Sequence, residues 1–172
     1  MDLFNPKARE WFMGLLDPML EMGVDGWKCD GTDPLILELR PWPYSPYLKR
    51  FLTRFEEYSN VYYRTFYEHT KSKTASALIM ARPVDNFSPY YRPSFAPKDV
   101  MFSGWVGDEY GTPESFRDTT MNNIIHSASR GYLNFGFDIG GYKVSKDHRI
   151  QAWLLVRQAQ IAALLPFMEN GG

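Results

Sequence analysis

One cysteine and three histidines are all the thiol and imidazole that this chain of 172 residues offers a metal. No H-x-H or H-x-x-x-H pair occurs, so a histidine-based metal centre has no spacing to grow from. A lone Cys29 excludes an intramolecular disulfide and leaves the redox compartment open. It lies in an apolar stretch, where a thiol acts as a small buried hydrophobe. Neither His69, His126 nor His148 is adjacent in sequence to serve it as a base. Charge of one sign is also missing: 19 Lys and Arg stand against 20 Asp and Glu, without a block of either. That argues against nucleic acid, which needs clustered cations. No apolar run reaches the length of a membrane span, so no membrane partner is expected. No targeting segment is expected within these residues, and the compartment stays unknown. No G-x-G-x-x-G and no Walker motif is present, which removes the usual phosphate turns. No cofactor and no metal are called for.

What the chain has in plenty is aromatic residues, 16% of the total. Trp42, Tyr44, Tyr47, Tyr90 and Tyr91 lie in Pro-rich loops rather than in periodic segments. Loop aromatics suit the flat apolar faces of sugars, and equally serve as covers for a core. The length fits one domain with a real core.

The stretch from Gly23 to Pro34 organises the rest. It reads as a short buried strand that ends on Asp30. Before it, Asn5-Pro6 opens a helix with a capping side chain and a first-turn proline. Apolar spacing carries that helix to Met22, and Pro18 should kink it or split it near Asp17. Prolines at 41, 43 and 46 make residues 35–55 irregular. A second helix is expected from Tyr58 to Ser72, with His69 half-buried at its surface. The apolar run Ser76–Ala81 is a strand covered on both faces. A long loop over 84–100 leads to a third strand, Met101–Trp105, which runs out at Asp108. Thr112-Pro113-Glu114 opens a helix that Gly131 closes. Tyr132–Asp138 is the fourth strand, Lys146–Leu165 the last helix, and Leu165–Met168 the start of a fifth strand.

Short apolar strands separated mostly by helices predict an α/β fold with a parallel sheet. The strands deliver Asp30, Arg82, Asp108 and Asp138 at their carboxyl ends. In a (β/α)8 barrel such ends converge on one mouth. A doubly wound open sheet is the alternative, and it lacks its phosphate turn here. Two carboxylates and a guanidinium suit glycoside cleavage. One carboxylate attacks the anomeric carbon, and the other gives a proton to the leaving oxygen. An Arg in reach holds sugar hydroxyls.

The segments Asn5-Pro6 through Asp30, Trp105-Val106-Gly107-Asp108, and Gly136-Phe137-Asp138-Ile139-Gly140-Gly141 together resemble the catalytic barrel of glycoside hydrolase family 31. The resemblance runs in order through nearly the whole chain. It implies a partial (β/α)8 TIM barrel, roughly strands 4 to 7 plus the start of 8, with residues 1–172 a fragment of one catalytic domain. It implies a retaining α-glycoside hydrolase that cleaves terminal α-linked sugars through a covalent glycosyl-enzyme. By this resemblance Asp30 is the nucleophile and Asp108 the general acid/base. Arg82 contacts the sugar, Trp105 walls the cleavage subsite, and Trp27 and Asp138 complete the substrate-binding set. Asp138 orders the strand ends rather than performing chemistry. Arg92, in the loop before Trp105, competes with Arg82 for the arginine role.

The chain also departs from the family. Gly31-Thr32-Asp33-Pro34 follows the nucleophile where common members carry x-N-E-P. Glu169-Asn170-Gly171 stands where many carry R-N-H, so α-glucose is not assumed as substrate. The implied partners are a carbohydrate and the remainder of the parent barrel with its β-sandwich domains. Alone, such a half barrel is expected to self-associate and to turn over little substrate. The rival reading is a non-catalytic glycan-binding or structural relative of the same fold.

Overall fold

The computed structural model describes residues 1–30, 44–52, 55–82, 96–143 and 152–170. These fall into two compact units. The first takes the residues from Met1 to Ala81 with the stretch ending at Phe102. The second takes Arg82 and the residues from Ser103 onward.

In the first unit, helix α1 (Pro6–Glu21) begins as its sequence predicts. Asn5 is the N-cap, its Oδ1 accepts the Lys7 N–H at 3.0 Å, and Pro6 takes the first position. The helix runs through Pro18 as one element, without the expected break at Asp17. Strand β1 (Gly26–Cys29) follows.

Tyr44–Ser45 (β2) and Arg50–Phe51 (β3) form a small antiparallel hairpin where an irregular stretch is expected. Pro46 sits in its turn rather than inside a strand, which is why proline content did not forbid pairing. The Asp2 carboxylate holds the hairpin. It accepts the Ser45 hydroxyl at 2.8 Å and the Tyr47 N–H at 3.1 Å.

Helix α2 (Phe55–Lys73) leads into β4 (Leu78–Ala81). β1 and β4 pair in parallel, from Gly26 opposite Leu78 to Cys29 opposite Ala81. A Cβ on Gly26 would stand 2.9 Å from the Leu78 carbonyl oxygen, so the close pairing needs glycine there. Helix α2 covers this pair with Tyr63 and Phe66, both buried. Burial of each such ring stabilises the unit by roughly 1.5–3 kcal/mol. The Phe66 ring meets Phe12 of α1 edge-on at 5.3 Å and Trp27 of β1 at 5.8 Å. His69 Nε2 lies 2.7 Å from Asp17 Oδ1 and ties α2 to α1. That hydrogen bond holds the Asp17 carboxyl below its usual range. The opposite side of α1 leaves Trp11, Leu15 and Met19 exposed, a stripe with i, i+4, i+8 spacing.

In the second unit, β5 (Ser103–Trp105) pairs in parallel with β6 (Phe135–Gly136). β7 (Asp138–Ile139) pairs in parallel with β8 (Glu169–Asn170). The single strand expected over Tyr132–Asp138 therefore changes partner at Phe137. Its first half is bonded to β5 and its second half to β8. Such an offset is the stagger a curving, barrel-like sheet requires. The fifth strand falls at Glu169, just beyond the expected Leu165–Met168.

The helical rod between β5 and β6 has three parts: α3 (Pro113–Ser115), a π-helical turn (Phe116–Thr120) and α4 (Met121–Ser129). Thr112 caps it, with Oγ1 accepting the Ser115 N–H at 3.2 Å. The π-turn is not readable from spacing; in it Phe116 meets the Phe137 ring at 5.3 Å and Thr120 is buried. Helix α5 (Ala152–Ala162) buries Leu154, Gln158 and Ala162 along one stripe. Among the described residues, no helix is long and apolar enough to cross a membrane.

Candidate active site

Asp30, Arg82 and Asp108 follow the carboxyl ends of β1, β4 and β5, Trp105 is the last residue of β5, Trp27 lies within β1, and Asp138 opens β7. Asp30 follows β1 directly and is exposed. Trp27, in β1, is committed to the helix layer. Its indole N–H donates to Thr70 Oγ1 at 2.7 Å, and its ring packs on Phe66. Cys29, one residue before Asp30, is buried, and burial pushes its thiol far above the usual range. It is inert as a nucleophile at neutral pH.

The second unit brings Arg82, Trp105 and Asp108 together. Arg82 follows β4 and is only 4% exposed. Its Nη1 donates to Asp108 Oδ1 at 3.1 Å. Its guanidinium carbon lies 5.9 Å from the centroid of the Trp105 ring, which is itself buried. A cation over an indole face is attracted to it, more strongly when water is excluded. Gly107 makes the approach possible, because a Cβ there would come within 3.1 Å of Arg82 Cδ. The W-x-G-D spacing thus has a local reason. Trp105 supports the guanidinium, Gly107 clears its path, and Asp108 meets its end. The Asp108 side chain keeps 23% of its surface accessible, enough to reach a ligand.

Asp138 is buried in β7, in register with Glu169 of β8. Beyond it, Gly140 and Gly141 both adopt left-handed backbone, φ +103° and +81°. A Cβ on Gly141 would stand 2.4 Å from Gly111 N and 2.5 Å from Gly111 Cα, so two backbones cross there with no space for a side chain. Lys143, just past the turn, donates its N–H to Glu109 O at 2.8 Å and accepts from Gly111 N at 3.2 Å. The Gly140 N–H donates to Gln158 Oε1 at 2.8 Å, in the buried interior. Sequence reasoning missed Gln158 and Lys143. Leu154, Gln158 and Ala162 share one buried helix stripe, so a lone amide among apolar positions was the available signal. Glu109, also buried, accepts the Ser115 hydroxyl at 3.0 Å and so braces the start of the following helix.

Arg92, the second arginine candidate, lies outside the described residues, as do Gly31-Thr32-Asp33-Pro34, Trp42, Tyr90, Tyr91 and Gly171. Among the described residues, no group of three or more His, Cys, Asp or Glu could hold a metal ion.

An α/β fold of parallel strand pairs and covering helices, with acids and an arginine at strand ends, is the architecture of the parallel α/β barrel enzymes. The whole chain, residues 1–172, matches the TIM-barrel domain of the glycosyl hydrolases family 31. The chain belongs to that family, and its fold is part of that (β/α)8 barrel.

Solved structures similar to it include the following three. A family 31 sulfoquinovosidase from E. rectale, in complex with an aza-sugar inhibitor, shares 22% identity at a TM-score of 0.70, over 99% of this chain and 25% of its own. The cycloalternan-forming enzyme of Listeria monocytogenes, in complex with a pentasaccharide substrate, shares 20% identity at a TM-score of 0.77, over 100% and 15%. The family 31 α-xylosidase of Xanthomonas citri shares 20% identity at 0.76, over 99% and 19%. The chain thus spans a quarter or less of the length of these proteins. No curated protein sequence matches it.

Proposed function

We propose that this chain is the part of a retaining α-glycoside hydrolase that carries both catalytic carboxylates. Asp30 attacks the anomeric carbon of a terminal α-linked sugar. Asp108 gives a proton to the departing glycosidic oxygen, and a covalent glycosyl-enzyme forms on Asp30. Asp108 then takes a proton from the incoming water, which releases the sugar. Arg82 engages Asp108 through Oδ1, leaving Oδ2 to exchange the proton. The Arg82 guanidinium and the Trp105 ring shape the cleavage subsite, and Asp138 orders the strand ends around it.

The observation that carries this reading is the Arg82–Asp108 ion pair seated against Trp105. A carboxylate held at 3.1 Å by a buried guanidinium has a fixed direction, as a proton donor needs. Family membership supports the glycosidase class. The sugar stays open among the specificities that similar proteins carry by name, since their identities are low. The exposed stripe Trp11, Leu15 and Met19 supports a chain that works within a larger domain.

The test uses the longer protein that contains this chain. It is incubated with mechanism-based α-glycosyl inactivators of gluco, galacto, xylo and sulfoquinovo configuration, and labelled peptides are located by mass spectrometry. A label on Asp30 is expected, and the reagent that gives it names the sugar. A label on another carboxylate overturns the assignment of Asp30. No label on the folded protein moves the reading to a non-catalytic glycan binder.

A further inference from the structure

Asp108 lies on a loop, yet general acid catalysis tolerates little error in the position of the acid. Upstream the loop is fixed by β5, with Trp105 paired opposite Gly136. Downstream it belongs to no strand; Glu109 ties it to Ser115, and a second part of the chain holds its backbone.

That part is the turn after Asp138. Gly141 crosses the backbone at Gly111 with no room for a Cβ, and Lys143 brackets Tyr110 with its two backbone hydrogen bonds to Glu109 and Gly111. The Lys143 ammonium lies 5.4 Å from the centre of the Tyr110 ring and closes the same contact from the side. The turn closes on itself through the Gly141 N–H, which donates to Asp138 O at 2.9 Å, and a side chain of α5 supports it from outside. Gly140 has a buried N–H, and Gln158 Oε1 accepts it at 2.8 Å. Gln158 is itself 2% exposed and comes from the buried stripe of α5. Losing that acceptor would strand a buried donor and free the turn to shift. A shift there moves Glu109 and Gly111, and Asp108 is next to Glu109.

We propose that Gln158 is a positioning residue for the general acid, acting through the Gly140–Gly141 turn on the loop that carries Asp108. The proposal rests on the reading of Asp108 as acid/base. It assigns the glycine pair of D-I-G-G a mechanical task distinct from any contact with sugar.

A misplaced general acid has a particular signature. It slows departure of a leaving group that needs a proton and spares one that leaves without it. The longer protein is therefore assayed on a methyl α-glycoside and on the α-glycosyl fluoride of the same sugar, in whichever of the four configurations it turns over. The quantity read is kcat/KM, which reports glycosylation. Gln158→Met is expected to lower kcat/KM on the methyl glycoside by about 100-fold, the cost of a displacement near 1 Å, and to leave the fluoride within about twofold. Gln158→Glu keeps an acceptor oxygen and is expected to restore the methyl glycoside rate to within roughly tenfold of the parent, the small remainder reflecting an added buried charge. Should Gln158→Met not fold, Gly141→Ala presses on the same loop from the turn and must give the same selectivity. Equal losses on both substrates, or no loss on either, overturn the inference. Asp108→Ala separates the two layers of the argument. If it shows the selectivity and the Gln158 variant does not, only the positioning role fails. If Asp108→Ala lacks the selectivity, the assignment of Asp108 fails, and the role of Gln158 with it.

Discussion

Two glycines with nearly the same backbone test how tightly the Asp108 loop is clamped. Gly23 has φ +97° and Gly141 φ +81°. Alanine at either site incurs the left-handed cost of about 1–2 kcal/mol. The difference lies in what the new Cβ meets. At Gly23 nothing lies within 4 Å, whereas at Gly141 the Gly111 N, Gly111 Cα and Tyr110 carbonyl carbon lie at 2.4, 2.5 and 2.9 Å. Those are backbone atoms and cannot rotate away, so about 1–3 kcal/mol of overpacking is added. Gly141→Ala should therefore cost roughly 2–5 kcal/mol and Gly23→Ala roughly 1–2.

The excess should appear in the amides the clamp protects. Lys143 N–H is bonded to Glu109 O and Gly111 N–H to Lys143 O. Hydrogen–deuterium exchange on the longer protein, resolved to these amides, should show them opening about 5- to 150-fold faster in Gly141→Ala, since 1.4 kcal/mol is tenfold. In Gly23→Ala they should be unchanged, with loosening confined to the Gly23 and Val24 amides that bond Leu20 O and Met19 O. A folded Gly141→Ala protein whose Gly111 and Lys143 amides exchange as before would refute the clamp.

Further expectations follow from other contacts. Arg82→Lys keeps the charge but loses the planar fork over Trp105, so kcat/KM should fall by roughly 10- to 150-fold, the equivalent of one charge-assisted hydrogen bond; rates within threefold of the parent would remove Arg82 from the site. Cys29, buried with its thiol shifted upward, should resist iodoacetamide in the native protein at pH 8 and react only after denaturation; rapid native labelling would contradict the burial of β1. The Asp17 carboxyl is held down first by its hydrogen bond to His69, and its contribution to the α1–α2 contact is complete above its unfolded value of 3.8 and lost as pH falls through the lower folded value. An acid melt of Asp17→Asn should accordingly lack that part of the loss below about pH 4, and an unchanged acid limb would show that the pair does not couple the helices.

What the sequence announced was local. Asn5-Pro6 and Thr112-Pro113 mark helix starts because cap and proline chemistry act over a few residues. Arg82 and Asp108 stand out in the sequence by their strand-end positions, and the structure joins the two by a hydrogen bond. Trp27 was read as a sugar contact, but a mixed strand gives no sign of which face an aromatic takes; its indole turned to Thr70. The hairpin at Tyr44–Phe51 was hidden by Pro46 and the prolines before it. The split at Phe137 was hidden because exchanging one neighbour strand for another leaves no trace in hydrophobic period. Gln158 left only a lone amide on an apolar stripe as its trace, because its partner is a backbone N–H 18 residues away.

The change of neighbour at Phe137 makes the segment from Phe135 to Ile139 a measuring stick read from both ends. Each pairing has only two residues, and side chains alternate sides along a strand. Insert or delete one residue between Gly136 and Asp138, and whichever ladder stays in place, the other is thrown out of phase. Asp138 would then point into the helix layer, or Phe135 would leave it. Substitutions at Phe137, buried against Phe116, cost packing but leave the two ladders in phase, whereas a change in count does not. Natural or engineered length variation in this unit should therefore avoid the strand and collect in the connections on either side.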